Sequence, residues 1–145
     1  GKIQTISALH KHLYVDVHNE FVDLNTYFIE ILKHYKNIGL KHELDLNICD
    51  AKVRSERIVY FGLILNEMLS NTLEHDSSDF SKIHLSVERT SDRFLFSYSD
   101  NSSHDSTKTK GTGTLLIEQL VRRIKGTKYQ ITEESGTYTF EFQID

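Results

Sequence analysis

Four polar residues recur at helical spacing within residues 56–75, a segment that is apolar over most of its surface. At about 100° per residue, Glu67, Ser70, Asn71 and Glu74 fall within one arc of a helix. Glu67 and Asn71 are four residues apart, so both side chains can reach a single ligand. A carboxylate and an amide oxygen suit Mg²⁺ or an ordered water. Taken alone, the pattern is more typical of the solvent-exposed face of an amphipathic helix, and a ligand site is the alternative interpretation.

A second candidate site follows a hydrophobic strand. Asp100 comes directly after the apolar alternation of residues 93–99, and a polar stretch follows it. Gly111 and Gly113 then flank Thr112 where the next helix is expected to begin. Glycines at a helix start let backbone N–H groups approach an anion closely, and the helix dipole favours phosphate there. A solvent-exposed loop could have the same composition, but the order of these elements favours a phosphate site.

Composition narrows the class of protein. The chain has 145 residues and a net charge of −4, which fits one domain and argues against a general nucleic-acid binder. Cys49 is the only cysteine, so no internal disulfide can form. No apolar run approaches the roughly 20 residues that a membrane-spanning helix needs. We therefore expect a soluble, cytoplasmic domain, which leaves open whether its parent protein is anchored in a membrane.

Hydrophobic periodicity predicts four helices and five strands. The predicted helices span 3–15, 24–36, 56–75 and 113–125, and the predicted strands span 42–48, 82–89, 93–99, 129–133 and 137–144. Asp23 is the expected N-cap of the second helix, and Gly126 is the expected C-cap of the fourth. The order of elements predicts an α+β fold, a two-layer sandwich in which one mixed sheet carries its helices on one face.

The segment FGLILNEMLSNTLEHD (61–76) resembles a motif that histidine kinases show as LGLILNELVTNALKHA. Together with the glycine pair, it is similar to the Bergerat, or GHKL-type, ATP-binding fold of histidine kinases, gyrase B and MutL. The resemblance covers essentially the whole chain and is strongest to the catalytic domain of sensor histidine kinases. It implies that residues 1–15 end the second dimerisation helix and that residues 16–145 form the ATP-binding catalytic domain.

The resemblance also implies a role for each candidate residue. Glu67 corresponds to a general base or water-positioning acid, Asn71 to a Mg²⁺ ligand, and Asp100 to the acid that accepts the adenine amino group. The segment from Gly111 through Thr112 to Gly113 corresponds to the phosphate-binding glycine box. A threonine near the final strand usually assists the adenine-binding acid, and the candidates for that role are Thr137 and Thr139.

Two features depart from the family pattern. The family continues its adenine-binding acid as D-x-G-x-G, whereas Asp100 is followed by the residues NSSH at 101–104. Both lid glycines, which let a backbone bend close to the nucleotide, are therefore missing. Glu74 also occupies a position where lysine is common, so an acid stands where a cation could meet phosphate.

The resemblance implies partners as well as a site. It implies ATP and Mg²⁺ as ligands, an upstream dimerisation and histidine-acceptor domain, a response regulator, and a homodimer in the full-length parent. His10 and His12 do not fit as the acceptor, because neither is followed by the acidic residue that usually neighbours one. Two alternatives stay open: a degenerate nucleotide-binding or scaffold domain, and an anti-sigma-factor-type serine kinase. The dimerisation-helix remnant argues against the second.

Overall fold

The computed structural model describes residues 20–75, 82–100, 112–132 and 136–144. The predicted helix at 3–15 and the polar stretch that follows Asp100 lie outside these ranges. Within the same ranges, no helix is both long and apolar enough to cross a membrane.

The described residues form three helices and seven strands. The helices are α1 (Leu24–Asn37), α2 (Ser55–His75) and α3 (Thr112–Arg123). The strands are β1 (Phe21–Asp23), β2 (Glu43–Ile48), β3 (Lys52–Arg54), β4 (Lys82–Thr90), β5 (Arg93–Ser99), β6 (Thr127–Thr132) and β7 (Thr137–Phe142). The three predicted helices that fall in the described ranges and all five predicted strands are confirmed to within a few residues.

Five strands form one mixed sheet in the order β2-β4-β5-β7-β6. Strand β2 runs parallel to β4, and the other pairs are antiparallel. The remaining strands, β1 and β3, pair with each other in a small antiparallel sheet that the sequence analysis missed. Each has only three residues, which is too short to establish an alternating pattern.

The core lies between one face of the large sheet and the helices. On β5, Phe94, Phe96 and Tyr98 are buried, while the residues between them are only partly buried. Phe28 of α1 makes an edge-to-face contact with Phe96, with ring centroids 6.1 Å apart. Phe61 of α2 makes a similar contact with a β7 ring, at 5.0 Å. The predicted two-layer α+β fold, with its helices on one face, is therefore confirmed.

Both predicted helix caps can be compared with the structure. Asp23 is the N-cap of α1 and accepts a hydrogen bond from the Thr26 N–H at 3.0 Å, as expected. The expected C-cap of α3 at Gly126 is wrong in detail. The left-handed residue is Lys125, with φ of 58°, two positions beyond the last helical residue. The N–H of Gly126 donates to the Val121 carbonyl at 2.8 Å, which completes a Schellman motif.

Gly62 lets α1 pack closely against α2. A Cβ atom at this position would lie 2.7 Å from the hydroxyl oxygen of Tyr27 and 2.8 Å from its Cε2 atom. Tyr27 is fully buried on α1 and cannot swing into solvent. The contact fixes the spacing between α1 and α2, the helix that carries the polar stripe formed by Glu67, Ser70, Asn71 and Glu74.

We expect Gly62→Ala to destabilise the protein by about 1–3 kcal/mol, the usual cost of overpacking a core. Alanine favours a helix by about 1 kcal/mol over glycine, so a net loss of stability must come from the tertiary contact. Urea unfolding followed by circular dichroism measures the change. In a Tyr27→Leu background the same substitution should cost less, because the smaller side chain leaves room for the new methyl group. A Gly62→Ala variant as stable as the wild type would contradict the proposed close contact.

Candidate active site

The polar stripe of α2 is buried at its centre. Glu67 is 8% exposed and Ser70 is 5% exposed, whereas Asn71 is partly buried and Glu74 is exposed. A solvated amphipathic face would expose all four side chains. Polar groups are buried only at a free-energy cost that hydrogen bonds or a ligand must offset. The stripe is therefore not simply the solvent-exposed face of α2.

Asn71 is held against the sheet by a tyrosine. Its side-chain nitrogen donates to the hydroxyl oxygen of Tyr138 on β7, at 3.2 Å. Tyr138 is buried, and its ring contacts that of Tyr98 on β5 at a centroid distance of 5.9 Å. Because the amide nitrogen and oxygen diverge at Cγ, this bond directs the Asn71 oxygen away from the Tyr138 hydroxyl. The oxygen is the atom that a cation would require.

Asp100 lies one residue beyond β5 and is 1% exposed. Its backbone N–H donates to the carbonyl of Gly136 at 3.3 Å. Its carboxylate oxygen Oδ2 accepts a hydrogen bond from the hydroxyl of Thr72 at 2.9 Å. Thr72 follows Asn71 on α2, so the helix brings the predicted magnesium ligand and the predicted adenine-binding acid close together. Glu67 lies about one helical turn before Asn71.

Thr72 is a site residue that the sequence analysis missed. It is 1% exposed, and its hydroxyl lies 2.5 Å from that of Tyr98 as well as close to Asp100. One signal could have identified it. The compared histidine kinase motif has alanine immediately after its second asparagine, whereas this chain has threonine there.

A second missed contact links α1 to the stripe. The hydroxyl of Tyr35 donates to the side-chain oxygen Oδ1 of Asn66 and lies 3.5 Å from the Ser70 hydroxyl oxygen. Asn66 is almost fully buried, and its side-chain nitrogen has no hydrogen-bond partner among the residues described. The bond connects α1 to the residue directly before Glu67.

No protein-family model matches this sequence, and no curated protein matches it closely. Solved structures match its fold. The blue-light-activated histidine kinase of Erythrobacter litoralis aligns with a TM-score of 0.83 at 16% identity, over 99% of this chain and 53% of that one. The histidine kinase AdeS of Acinetobacter baumannii aligns with a TM-score of 0.66 at 17% identity, over 99% and 75%. The catalytic domain of the histidine kinase ThkA gives 0.65 at 17%, over 85% and 94%.

This chain has the fold of a histidine kinase catalytic domain. It spans about half the length of the Erythrobacter kinase. Identities of 16 to 17% establish a shared fold and not a shared activity. The function therefore has to be inferred from the residues that this histidine kinase fold brings together.

The start of α3 falls in the segment where the sequence predicts a phosphate site. Helix α3 begins at Thr112, so Gly113 lies in its first turn, and the predicted opening of a helix beside the glycine pair is confirmed. Gly111 and the departures at 101–104 lie outside the described residues. The backbone N–H groups of a first helical turn have no partner within the helix, and they suit an anion.

Thr137 and Thr139 lie on the other face of the sheet from Asp100. They pair across the β5–β7 ladder with Ser99 and Ser97, and the Thr137 hydroxyl donates to the Ser99 hydroxyl oxygen at 3.2 Å. Residues one apart on a strand point to opposite faces, and Asp100 is adjacent to Ser99. Thr72 contacts the Asp100 carboxylate directly, and the role of Thr137 or Thr139 beside Asp100 stays a prediction.

Proposed function

We propose that this chain is the ATP-binding catalytic domain of a two-component sensor histidine kinase. It transfers the γ-phosphate of ATP to a histidine that lies before the present sequence in a longer protein. One observation carries the proposal: the histidine kinase fold brings a buried glutamate, an oriented asparagine amide and a buried aspartate to one end of α2. Phosphoryl transfer depends mostly on positioning and charge stabilisation, which such a rigid set can supply.

Each proposed role follows from the chemistry of the side chain. Asp100 accepts a hydrogen bond from the exocyclic amino group of adenine, since its carboxylate has only acceptor sites. The amide oxygen of Asn71, directed away from Tyr138, ligates Mg²⁺. The ion supplies positive charge that neutralises the triphosphate. Glu67 acts as a general base towards the acceptor histidine or orients a water molecule there.

The phosphates lie at the start of α3. Thr112 and Gly113, in the first turn of α3, offer backbone N–H groups and the positive end of the helix dipole to the triphosphate, and Gly111 precedes them in the sequence. The described residues contain no group of three or more histidine, cysteine or acidic side chains suited to a metal. A Mg²⁺ ion shared between Asn71 and the nucleotide does not need one, because magnesium is commonly held by few protein ligands plus substrate phosphates.

The same proposal extends to partners. The domain works beside an upstream dimerisation and histidine-acceptor domain, in a cytoplasmic homodimer of the full-length protein, and the phosphate passes on to a response regulator.

One observation favours a second candidate, a nucleotide-binding domain without transferase activity. Glu74 is exposed on α2 at a position where the resembling kinases commonly have lysine, so it adds negative charge near the proposed triphosphate site.

Calorimetric titration with ATP, in the presence and absence of Mg²⁺, tests the nucleotide site. The wild type should bind ATP more tightly with Mg²⁺, and Asn71→Ala should remove most of that difference because it deletes the ligand oxygen. The variant should be destabilised by only about 1 kcal/mol, since it loses one hydrogen bond to Tyr138. Asn71→Asp, which keeps an oxygen ligand, should retain the Mg²⁺ response.

The matched control is Asn47→Ala, an identical change at an exposed position on β2. It should leave both ATP affinity and the Mg²⁺ response unchanged. If ATP binding by Asn71→Ala responded to Mg²⁺ as the wild type does, Asn71 would not be the ligand. A wild type that bound no ATP would refute the proposed function itself.

A further inference from the structure

Two of the hydrogen bonds that hold Asp100 come from different parts of the fold. Its backbone N–H is fixed to Gly136, before β7, and its carboxylate accepts from Thr72 on α2 at 2.9 Å. The carboxylate torsion of an aspartate is broad and nearly two-fold, so a bond to one oxygen is needed to select an orientation. The bond from Thr72 uses one of the roughly four acceptor positions of the carboxylate.

The hydrogen bonds at Thr72 have a defined direction. Threonine has a single hydroxyl proton, and that proton is donated to Asp100. The hydroxyl of Tyr98, 2.5 Å from the Thr72 oxygen, must therefore be the donor in their shared bond. Burial raises the pKa of Tyr98 well above its usual value, and the charge of Asp100 raises it further although the bond to Thr72 lowers it. Tyr98 thus stays protonated and able to donate.

Both hydroxyl groups are shielded from water. Thr72 is 1% exposed and Tyr98 is fully buried, so solvent cannot replace either bond when one partner is removed. Tyr98 lies on the same strand, two residues before Asp100, and Thr72 reaches them from the helix. The chain of bonds from Tyr98 through Thr72 to Asp100 therefore couples α2 to the end of β5.

We propose that Thr72 is a positioning residue that sets the adenine specificity of the site by orienting the Asp100 carboxylate. The inference rests on the proposed function, since it assumes that Asp100 accepts from the adenine amino group. Alanine, which the resembling motif has at this position, offers no hydroxyl donor. A merely structural threonine would affect all nucleotides alike, whereas a positioning threonine affects the nucleotides that carry an amino group.

The test compares ATP with inosine triphosphate (ITP), which has a carbonyl where adenine has its amino group. Calorimetry with Mg²⁺ gives both dissociation constants for the wild type, Thr72→Val and Thr72→Ser. Valine keeps the shape and loses the hydroxyl, and serine keeps the hydroxyl. We expect Thr72→Val to weaken ATP binding about tenfold and to change ITP binding less than about twofold. Thr72→Ser should restore the wild-type ratio, and Tyr98→Phe should give a smaller loss in the same direction.

Thr90→Val is the matched control, because Thr90 is exposed at the far end of β4. If Thr72→Val does not fold, Thr72→Ala replaces it, since alanine suits a helix and also lacks the hydroxyl. An unchanged ratio of ATP to ITP affinity in the hydroxyl-free variant, or an equal loss for both nucleotides, would overturn the inference while leaving the nucleotide site intact. Equal affinity of the wild type for ATP and ITP would instead refute the adenine role of Asp100, and the inference with it.

Discussion

Glu67→Gln is expected to slow phosphoryl transfer by at least about a hundredfold and to leave ATP affinity nearly unchanged. Glutamine matches glutamate in shape and hydrogen-bonding reach, but it cannot accept a proton or carry the negative charge. A positioned general base typically contributes about 10²- to 10⁴-fold to a rate. Because Glu67 is almost fully buried at the centre of the stripe, a base from the solvent cannot take over the role of its carboxylate.

The measurement needs a protein extended upstream to include the dimerisation and acceptor helices. Transfer of label from γ-labelled ATP gives the rate, and calorimetry gives the ATP affinity of the same preparations. Glu56→Gln is the matched control, since Glu56 is exposed in the first turn of the same helix. It should transfer phosphate at the wild-type rate.

Two outcomes would change the interpretation. Wild-type transfer by Glu67→Gln would mean that Glu67 is not the base and that its burial serves another purpose. If the extended wild type bound ATP but transferred no phosphate, the nucleotide-binding alternative favoured by Glu74 would replace the kinase proposal. Gly62→Ala and the Asn71 variants do not separate these two functions, because both need a folded nucleotide site.

The elements of the fold were predictable because their apolar spacing is strong and local. The stripe of α2 and the alternation of β5 each follow from side-chain period alone. The short strands β1 and β3 were not predictable, since three residues do not establish a period. The left-handed residue that follows α3 was predicted one position too late, because glycine usually takes the conformation that Lys125 adopts here.

The site was predictable in part, for a different reason. Glu67, Asn71 and Asp100 could be predicted because polar residues in apolar segments stand out in a sequence. Thr72 could not be predicted from spacing, because a threonine that points into the core has the same pattern as an ordinary core residue. Its partner Asp100 is also 28 residues away in the sequence. The helper role expected for Thr137 or Thr139 stays a prediction, and it depends on how side chains alternate along a strand. A strand is easily found, but which of its two faces meets the helices depends on register, and a shift of one residue reverses every side chain.

Asp100→Asn is expected to weaken ATP binding by about 1–3 kcal/mol, roughly 5- to 150-fold. The amide oxygen of asparagine can still accept the hydrogen bond from Thr72, which places the NH₂ group where the second carboxylate oxygen was. That NH₂ group would meet the adenine amino group, so two donors would face each other. Asp100 is 1% exposed, and little water can enter to relieve the mismatch.

The same substitution should also reverse the preference of the site between ATP and ITP. An asparagine NH₂ group can donate to the carbonyl of hypoxanthine, so Asp100→Asn should bind ITP at least as tightly as it binds ATP. Calorimetry with both nucleotides measures the exchange of preference, and circular dichroism shows whether the variant is folded. Asp92→Asn, an identical change at an exposed turn between β4 and β5, should leave both affinities unchanged. Equal ATP affinity in the wild type and in Asp100→Asn would remove Asp100 from the adenine site. In a buried pocket, an NH₂ group that faces the adenine amino group cannot replace the hydrogen bond that the carboxylate accepts.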